Sequence, residues 1–593
     1  MKNARVTISA FLIISILMIY AQTGGFSFVG FDDPQLIVEN PHVAAGFTLE
    51  GVRWALGTAW HEHVFFYPLS MLSHMAAVSV FGLNPAGHHL VNVGLHATMV
   101  LLVFFFLCRM THAEWRPALV AMLVAVHPMN VDSVAWVAQR STLLCGALWM
   151  AVLLCYLAYI GRKKRVWYGA AFGIFILAVL AKSSAVMVPV LLLMIDGYRG
   201  RLTAVTPGGF NIKEKLPFFA VAAGWSLVVM ITAKQSGAAA SFADVTVWSR
   251  VANAITAYGV YPLRMVWPAG LSVYYPFPDT TPLWQPVLSG LFIFGVTLLL
   301  VRHARKMPMV LFGWLWYLVT LIPMLGFVQA GPWPATADHY MYMPGIGLFI
   351  CLAWAIPEIQ GHGIAVRNMA GTVIAVGIAV LAALSFYHAR YYRNSIALFE
   401  RAVRVTEDNF FAHINLGTAY AQKGNFTKAG TQFEVALGLQ PHSPGAHTNL
   451  GNIDKQAGRF EAARAHYRAA LQQAPDFVPA LTGMADVLAV TGEIDRAIGH
   501  YRRAIAVDKQ SVSARYNLGM VLASQNRLIE AYYQVRRALD HAPANADIHC
   551  SLAEIAMTMG RTDEAKHHFK AALLLDSSLE RAQKGLARLR QMP

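Results

Sequence analysis

Residues 6–22 read VTISAFLIISILMIYAQ, and ten residues beyond Gln22 stands Asp32, within Phe31-Asp32-Asp33-Pro34. An uninterrupted apolar run of that length, preceded by Lys2 and Arg5, predicts a first membrane span with its N-terminus in the cytoplasm. No small-x-small cleavage site follows it, so the segment is read as a retained helix rather than a signal peptide. The tandem aspartates then fall on the far side of the membrane, close to the lipid surface.

The rest of the chain supports a lipid setting. It has 593 residues, 56% hydrophobic and 13% charged, with a mean hydropathy of +0.45. Soluble domains carry about 25% charged residues. Further apolar runs near 88–108, 117–131, 142–160, 166–181, 183–197, 216–233, 284–301, 308–325, 344–357 and 368–387 bring the expectation to eleven spans. The segment 251–267 contains Pro262 and Arg264 and is read as an interfacial or re-entrant helix.

The net charge of +15 does not imply a nucleic acid. Up to residue 367 there are 22 Lys+Arg, of which 16 fall in loops assigned to the cytoplasm. That asymmetry orients a membrane protein. Only Arg53, Arg140, Lys182, Lys234, Arg250 and Arg264 are left on outward segments. Four of the five cysteines sit in apolar runs, and no CxxC knuckle or disulfide framework follows.

Beyond residue 390 the composition becomes soluble and periodic. Steps of 34 connect Ala429, Ala463, Ala497, Ala531 and Ala565, and likewise Ala436, Ala470, Ala504, Ala538 and Ala572. Leu416, Leu450, Met484, Leu518 and Leu552 keep the same step, as do Phe433, Tyr467, Tyr501, Val535 and Phe569. Gly424, Gly458, Gly492 and Gly560 recur at the turn, with Asn526 in the fourth place. This is a tetratricopeptide pattern, in which small alanines let paired helices approach. Five repeats are expected over 410–579, with a joining helix at 395–409 and a capping helix over 580–593. The expected fold is all-α: a membrane bundle over 1–390, then an α-solenoid over 391–593.

The first outward loop, 23–87, carries Trp54, Trp60, His61, His63, Phe65, Phe66 and Tyr67 and should form short interfacial helices. Aspartates before proline are also ordinary turn formers. Their company adds weight: Tyr67, His88 and His89 near the second span, then His127-Pro128-Met129-Asn130-Val131-Asp132 and Arg140. His61-x-His63 and His88-His89 lack metal-site spacing, so no bound ion is expected, although a divalent cation remains chemically conceivable.

Several blocks resemble one family. Phe31-Asp32-Asp33-Pro34-Gln35-Leu36-Ile37-Val38-Glu39-Asn40-Pro41-His42-Val43 is similar to the first luminal loop of the transmembrane and tetratricopeptide-repeat-containing O-mannosyltransferases, which have the C-type glycosyltransferase fold. Asn84-Pro85-Ala86-Gly87-His88-His89-Leu90, His127-Pro128 with Asp132-Ser133-Val134-Ala135-Trp136, Trp267-Pro268-Ala269-Gly270-Leu271 and Ala337-Asp338-His339-Tyr340-Met341-Tyr342-Met343-Pro344 extend the resemblance along the chain. It implies a catalytic base in the first outward loop, Asp32 or Asp33, with Asp132 sharing the site. A carboxylate there would take the proton of an acceptor hydroxyl. Direct displacement would invert the sugar.

The resemblance also implies a phosphate leaving group, for which Arg140 and Lys182 are the candidates. His339 stands where the family carries arginine, so any phosphate contact there should depend on pH. His88, His89, His127, Asp338, Tyr340 and Tyr342 are the supporting candidates. The implied partners are a polyprenyl-phosphate-linked sugar donor, an acceptor protein held by the repeats, and membrane lipids. A bacterial chain would use an undecaprenyl carrier at a periplasmic site of the inner membrane; a eukaryotic one would use a dolichyl carrier in the endoplasmic reticulum lumen. Transfer to a glycan or lipid headgroup, or a non-catalytic scaffold, are the rival readings.

Overall fold

The computed structural model describes residues 2–57, 67–200, 212–235, 246–278, 281–326, 334–357 and 364–591. The aromatic and histidine cluster Trp60, His61, His63, Phe65 and Phe66 lies outside the described residues. Of the described residues 82% are helical. Among the described residues the only isolated bridge joins Tyr275 to Thr336. Two compact units emerge, Met1–Asn415 and Leu416–Pro593.

Among the described residues of the first unit, five helices are long and apolar enough to cross a membrane: Asn3–Gly25, Pro85–Thr111, Val137–Arg162, Trp284–Arg302 and Ala365–Arg393. A sixth arises if the bent pair Trp115–Val126 and Pro128–Ala135 is one span. The remaining expected spans coincide with shorter apolar helices, such as Arg165–Ala181 and Pro344–Ala355. Trp284–Arg302 leaves Leu291 and Phe294 exposed, and the last helix exposes Val373. Apolar faces so open to the surroundings suit lipid, not water. By contrast, half or more of the apolar stretch is buried in Pro85–Thr111 and Val137–Arg162, which form the centre. Helices Pro308–Leu321 and Pro344–Ala355 meet at Gly313 and Gly347, each lying where a Cβ would strike the other's carbonyl oxygen. Small residues permit this approach without a hydrophobic driving force.

Two breaks turn polar side chains inward. His127 is extended, because a residue before proline avoids the helical region, and Pro128 cannot donate to the preceding turn. The chain bends by 55° there. The short helix Val131–Ala135 then carries Asp132 into the interior. Likewise Lys182, at φ −161° and ψ 138°, ends helix Arg165–Ala181 before a 3-10 turn over Ser183–Met187. The first outward loop folds as expected into short helices, including Pro41–Ala44, Leu49–Gly57 and Pro68–Phe81. Trp54 is buried and stacks on His42 rather than facing an interface.

The boundary differs from the expected 390/391. Residues 391–415 belong to the first unit because they bond to its outward loops. Ser27 N–H donates to the Arg393 carbonyl at 3.0 Å, and Gly30 N–H donates to Ser395 Oγ at 2.7 Å. Phe411 stacks on Tyr274 with ring centroids 4.4 Å apart. Asn409 Nδ2 donates to the Tyr274 carbonyl at 3.3 Å. The division falls inside helix Phe410–Gln422.

The second unit follows the 34-residue arithmetic. All ten periodic alanines are 0% exposed, and the larger residues fill the gaps that glycines leave. Phe433 meets Gly417, Tyr467 meets Gly451 and Gly483, and Val535 meets Gly519. Each turn residue is left-handed, with φ of 74° at Gly424, 72° at Gly458, 87° at Gly492, 59° at Asn526 and 76° at Gly560. Asparagine is among the few L-residues that adopt this conformation readily, which is why it can replace glycine there. The helix Glu580–Gln591 closes the array, its Gly585 seated against Phe569.

Candidate active site

The tandem aspartates divide their roles. Asp33 is 1% exposed, and its two oxygens accept the backbone N–H groups of Val29 at 2.9 Å and Ala138 at 2.8 Å. It fastens the loop to the start of the fourth expected span. Asp32 is half-buried, and its carboxylate accepts no hydrogen bond from the described residues. Pro34 begins the following turn, Pro34–Val38, in which Leu36 N–H donates to the Asp32 carbonyl. That turn fixes the backbone of Asp32 while leaving its carboxylate free.

Electrostatics sharpen the contrast. Burial pushes the Asp32 carboxyl up to about 6, the nearby Asp132 charge adds to the rise, and Lys182 opposes it. Burial pushes Asp33 up to about 7, against the two backbone N–H bonds that favour its ionised form. An unencumbered carboxylate titrating near 6 can be ionised at neutral pH and still be a stronger base than a solvated aspartate.

Asp132 is fully buried and fully engaged. One oxygen accepts from His339 N–H at 3.1 Å and Nδ1 at 2.7 Å; the other accepts from Tyr392 Oη at 2.9 Å. Burial lowers the basicity of His339, with Asp132 acting in the opposite sense. The histidine therefore orients through Nδ1–H and carries little charge at neutral pH. Trp136 meets it edge-on at 5.9 Å and stacks on Phe31 at 4.9 Å, linking His339 to the aspartate loop.

Lys182 Nζ donates to Thr142 Oγ1 at 2.6 Å and lies 3.5 Å from Gln139 Oε1. Both partners are neutral, and no carboxylate stands within 4 Å among the described residues. A buried ammonium held only by neutral oxygens is poised for an anion.

Arg140 is placed differently from the expectation. It is 0% exposed, with Nε on Asn92 Oδ1 at 3.0 Å, Nη1 on the Ser73 carbonyl at 3.2 Å and Nη2 on the His88 carbonyl at 2.9 Å. It cross-links the bundle, and its charge acts on Asp33. Three of its N–H groups are held by these protein acceptors, and the side chain is closed off from the surroundings.

The supporting candidates are scattered around this centre. His88 Nε2 bonds the Gly82 carbonyl at 3.1 Å, and the His88 and His89 rings meet Phe28 and Phe26 edge-on. His127 Nε2 bonds the Met265 carbonyl at 2.9 Å, bracing the helix break. Tyr342 Oη pairs with His96 Nδ1 at 2.8 Å, and Tyr340 is buried beside His339. Asp338 accepts from Tyr275 Oη at 3.0 Å and Ser272 N–H at 3.2 Å, and burial raises it to about 7. Among the described residues no group of three or more His, Cys, Asp or Glu side chains could hold a metal.

Two residues were missed. Tyr392 carries no sequence signal, because it reads as the end of a membrane helix. Arg264 did carry one, as one of six cations on outward segments.

Sequence models described as tetratricopeptide repeat match residues 380–444, 454–518 and 546–579. Mouse protein O-mannosyl-transferase TMTC3 is 23% identical over 489 residues, 73% of this chain and 51% of its own length. Human TMTC4 is 24% identical over 478 residues, covering 67% of this chain and 62% of itself. These matches make the chain similar to the TMTC proteins over most of its length and support a TMTC-like, tetratricopeptide-repeat-containing chain. Among the relatives, mouse TMTC1 shares 34% identity over 136 residues, 21% of this chain and 14% of TMTC1. The chain thus spans about half to three-fifths of the lengths of TMTC3 and TMTC4.

Proposed function

We propose that this chain is an integral-membrane glycosyltransferase that moves one mannose from a polyprenyl-phosphate carrier to Ser or Thr hydroxyls of exported proteins. The names of its TMTC relatives support the transferase class. The observation that carries the site assignment is the carboxylate of Asp32, which accepts no hydrogen bond from the described residues, whereas the oxygens of Asp33, Asp132 and Asp338 are all occupied by protein donors. Asp32 takes the acceptor hydroxyl proton as that oxygen attacks the anomeric carbon. The bond from that carbon to the phosphate oxygen breaks on the opposite face, so the sugar inverts and the lipid phosphate leaves. Lys182 steadies the departing charge, and Asp132 holds His339 and Tyr392 as the wall of the site.

The way the helix ends are tied supports a sidedness for the site. Arg5 pairs with Glu114 at 2.9 Å, and Arg116 Nη2 donates to the Ile356 carbonyl, joining ends expected in the cytoplasm. Residues 392–411 instead bond to the loops that carry Asp32. These ties support placing the acid pair and the chain leaving the last span together, opposite the basic loops. The repeats bind the acceptor polypeptide, as concave helical arrays suit extended chains.

The test is transfer from polyprenyl-phosphate-mannose to a Ser/Thr peptide by the full chain in vesicles, read as a hexose mass increment. Wild type should add the increment and Asp32→Asn should not. A fully active Asp32→Asn would overturn the assignment.

A further inference from the structure

We propose that Arg264, with Leu263, Val266 and Trp267, forms the seat at which a polyprenyl-linked phosphate enters the site from the lipid. The proposal rests on the transferase reading and names the place where its donor docks.

Arg264 lies in the last turn of the helix Val247–Val266. Its guanidinium covers the Tyr275 ring at 3.8 Å, and Nη1 donates to Thr336 Oγ1 at 2.9 Å. No carboxylate lies within 4 Å among the described residues, and its remaining N–H groups have no protein acceptor there. The stacked, planar fork is thus held in place with donors to spare, which is the arrangement that binds phosphate oxygens. A cation at a helix C-terminus ordinarily serves the last carbonyls. Here the guanidinium hydrogen-bonds to Thr336 instead.

Around it the helix end is bare and greasy. Leu263 is 70% exposed, Val266 84% and Trp267 76%. Such residues beside an interfacial tryptophan suit contact with isoprenoid at headgroup level. The seat also connects inward. Tyr275, beneath the guanidinium, bonds to Asp338, and the Tyr275–Thr336 bridge leads through Ala337 to His339 on Asp132. A phosphate at Arg264 would lie on the loops that carry the chemistry, with its tail still in lipid.

Phospholipid headgroups offer the same chemistry, so the experiment separates the two sources. Full-length protein in detergent is titrated with polyprenyl monophosphate and, separately, with phosphatidylglycerol, and bound lipid is read by native mass spectrometry. Wild type should prefer polyprenyl monophosphate. Arg264→Gln should weaken that binding at least about tenfold, as loss of one charge-assisted hydrogen bond predicts. Trp267→Ser, on an exposed side chain, should weaken long-chain prenyl phosphates more than short ones and guards against a folding defect at Arg264. Equal binding of phosphatidylglycerol, or unchanged polyprenyl binding in both variants, would overturn the proposal. No turnover enters the measurement, so absence of transfer would count against the proposed function alone.

Discussion

Asp32 and Asp33 are chemically identical neighbours with opposite tasks, and mutation should separate them cleanly. Asp32→Asn should lower kcat by about 10²–10⁴-fold, the usual contribution of a general base, with the thermal unfolding midpoint unchanged. Asp33→Asn presents an amide N–H to a backbone donor, leaving one buried N–H unpaired at a cost of about 1–3 kcal/mol. Its signature should be a lowered midpoint of thermal unfolding, measured alongside Asp32→Asn in the same detergent. The pH profile follows from the raised Asp32 carboxyl. The base form is lost as pH falls through about 6, so kcat/KM should drop about tenfold per unit below that value. A profile flat from pH 7 down to 4.5 would remove Asp32 from the role. The pair was legible in the sequence, but its division was not. What distinguishes the two is the Ala138 N–H, 105 residues away, and no local pattern encodes that contact.

At the scale of elements, the repeats were the most legible part, because each packing requirement recurs every 34 residues and errors average out. Asn526 is the instructive deviation. Asn526→Gly should leave the unfolding midpoint of the array unchanged or slightly raised, whereas Asn526→Val should destabilise it by about 1–2 kcal/mol, since a β-branched residue opposes φ of 59°. Thermal unfolding followed by far-UV circular dichroism distinguishes these outcomes. The membrane helices were legible as apolar runs but not as individual shapes. The expected span 117–131 runs through His127-Pro128 without a break, and only the bend of 55° reveals that Asp132 is delivered inward. Arg140 shows a related limit: a cation at the start of a span does not reveal that Asn92, Ser73 and His88 supply its acceptors. Lys182 carried the same signal, yet its oxygens are neutral and few.

For the whole molecule, compartment is the property that charge asymmetry could suggest and hydrogen bonds between distant loops now support. A C-terminal tag should be shielded in right-side-in vesicles that protect the outward face, and accessible when that face is open to protease. A tag cleaved only from the side of the basic loops would contradict the sidedness proposed here. The proposed site draws on residues 31–33, 132–142, 182, 264–275 and 336–339. No window of sequence holds it, and only the family blocks hinted that these stretches meet.

The hydroxyl of Tyr392 has one more consequence. A fragment cut at residue 390 to isolate the bundle would lose the phenol that occupies one oxygen of Asp132, together with the aromatic lid that Phe399 and Phe411 place on Phe31. Such a fragment would lack one wall of the proposed site.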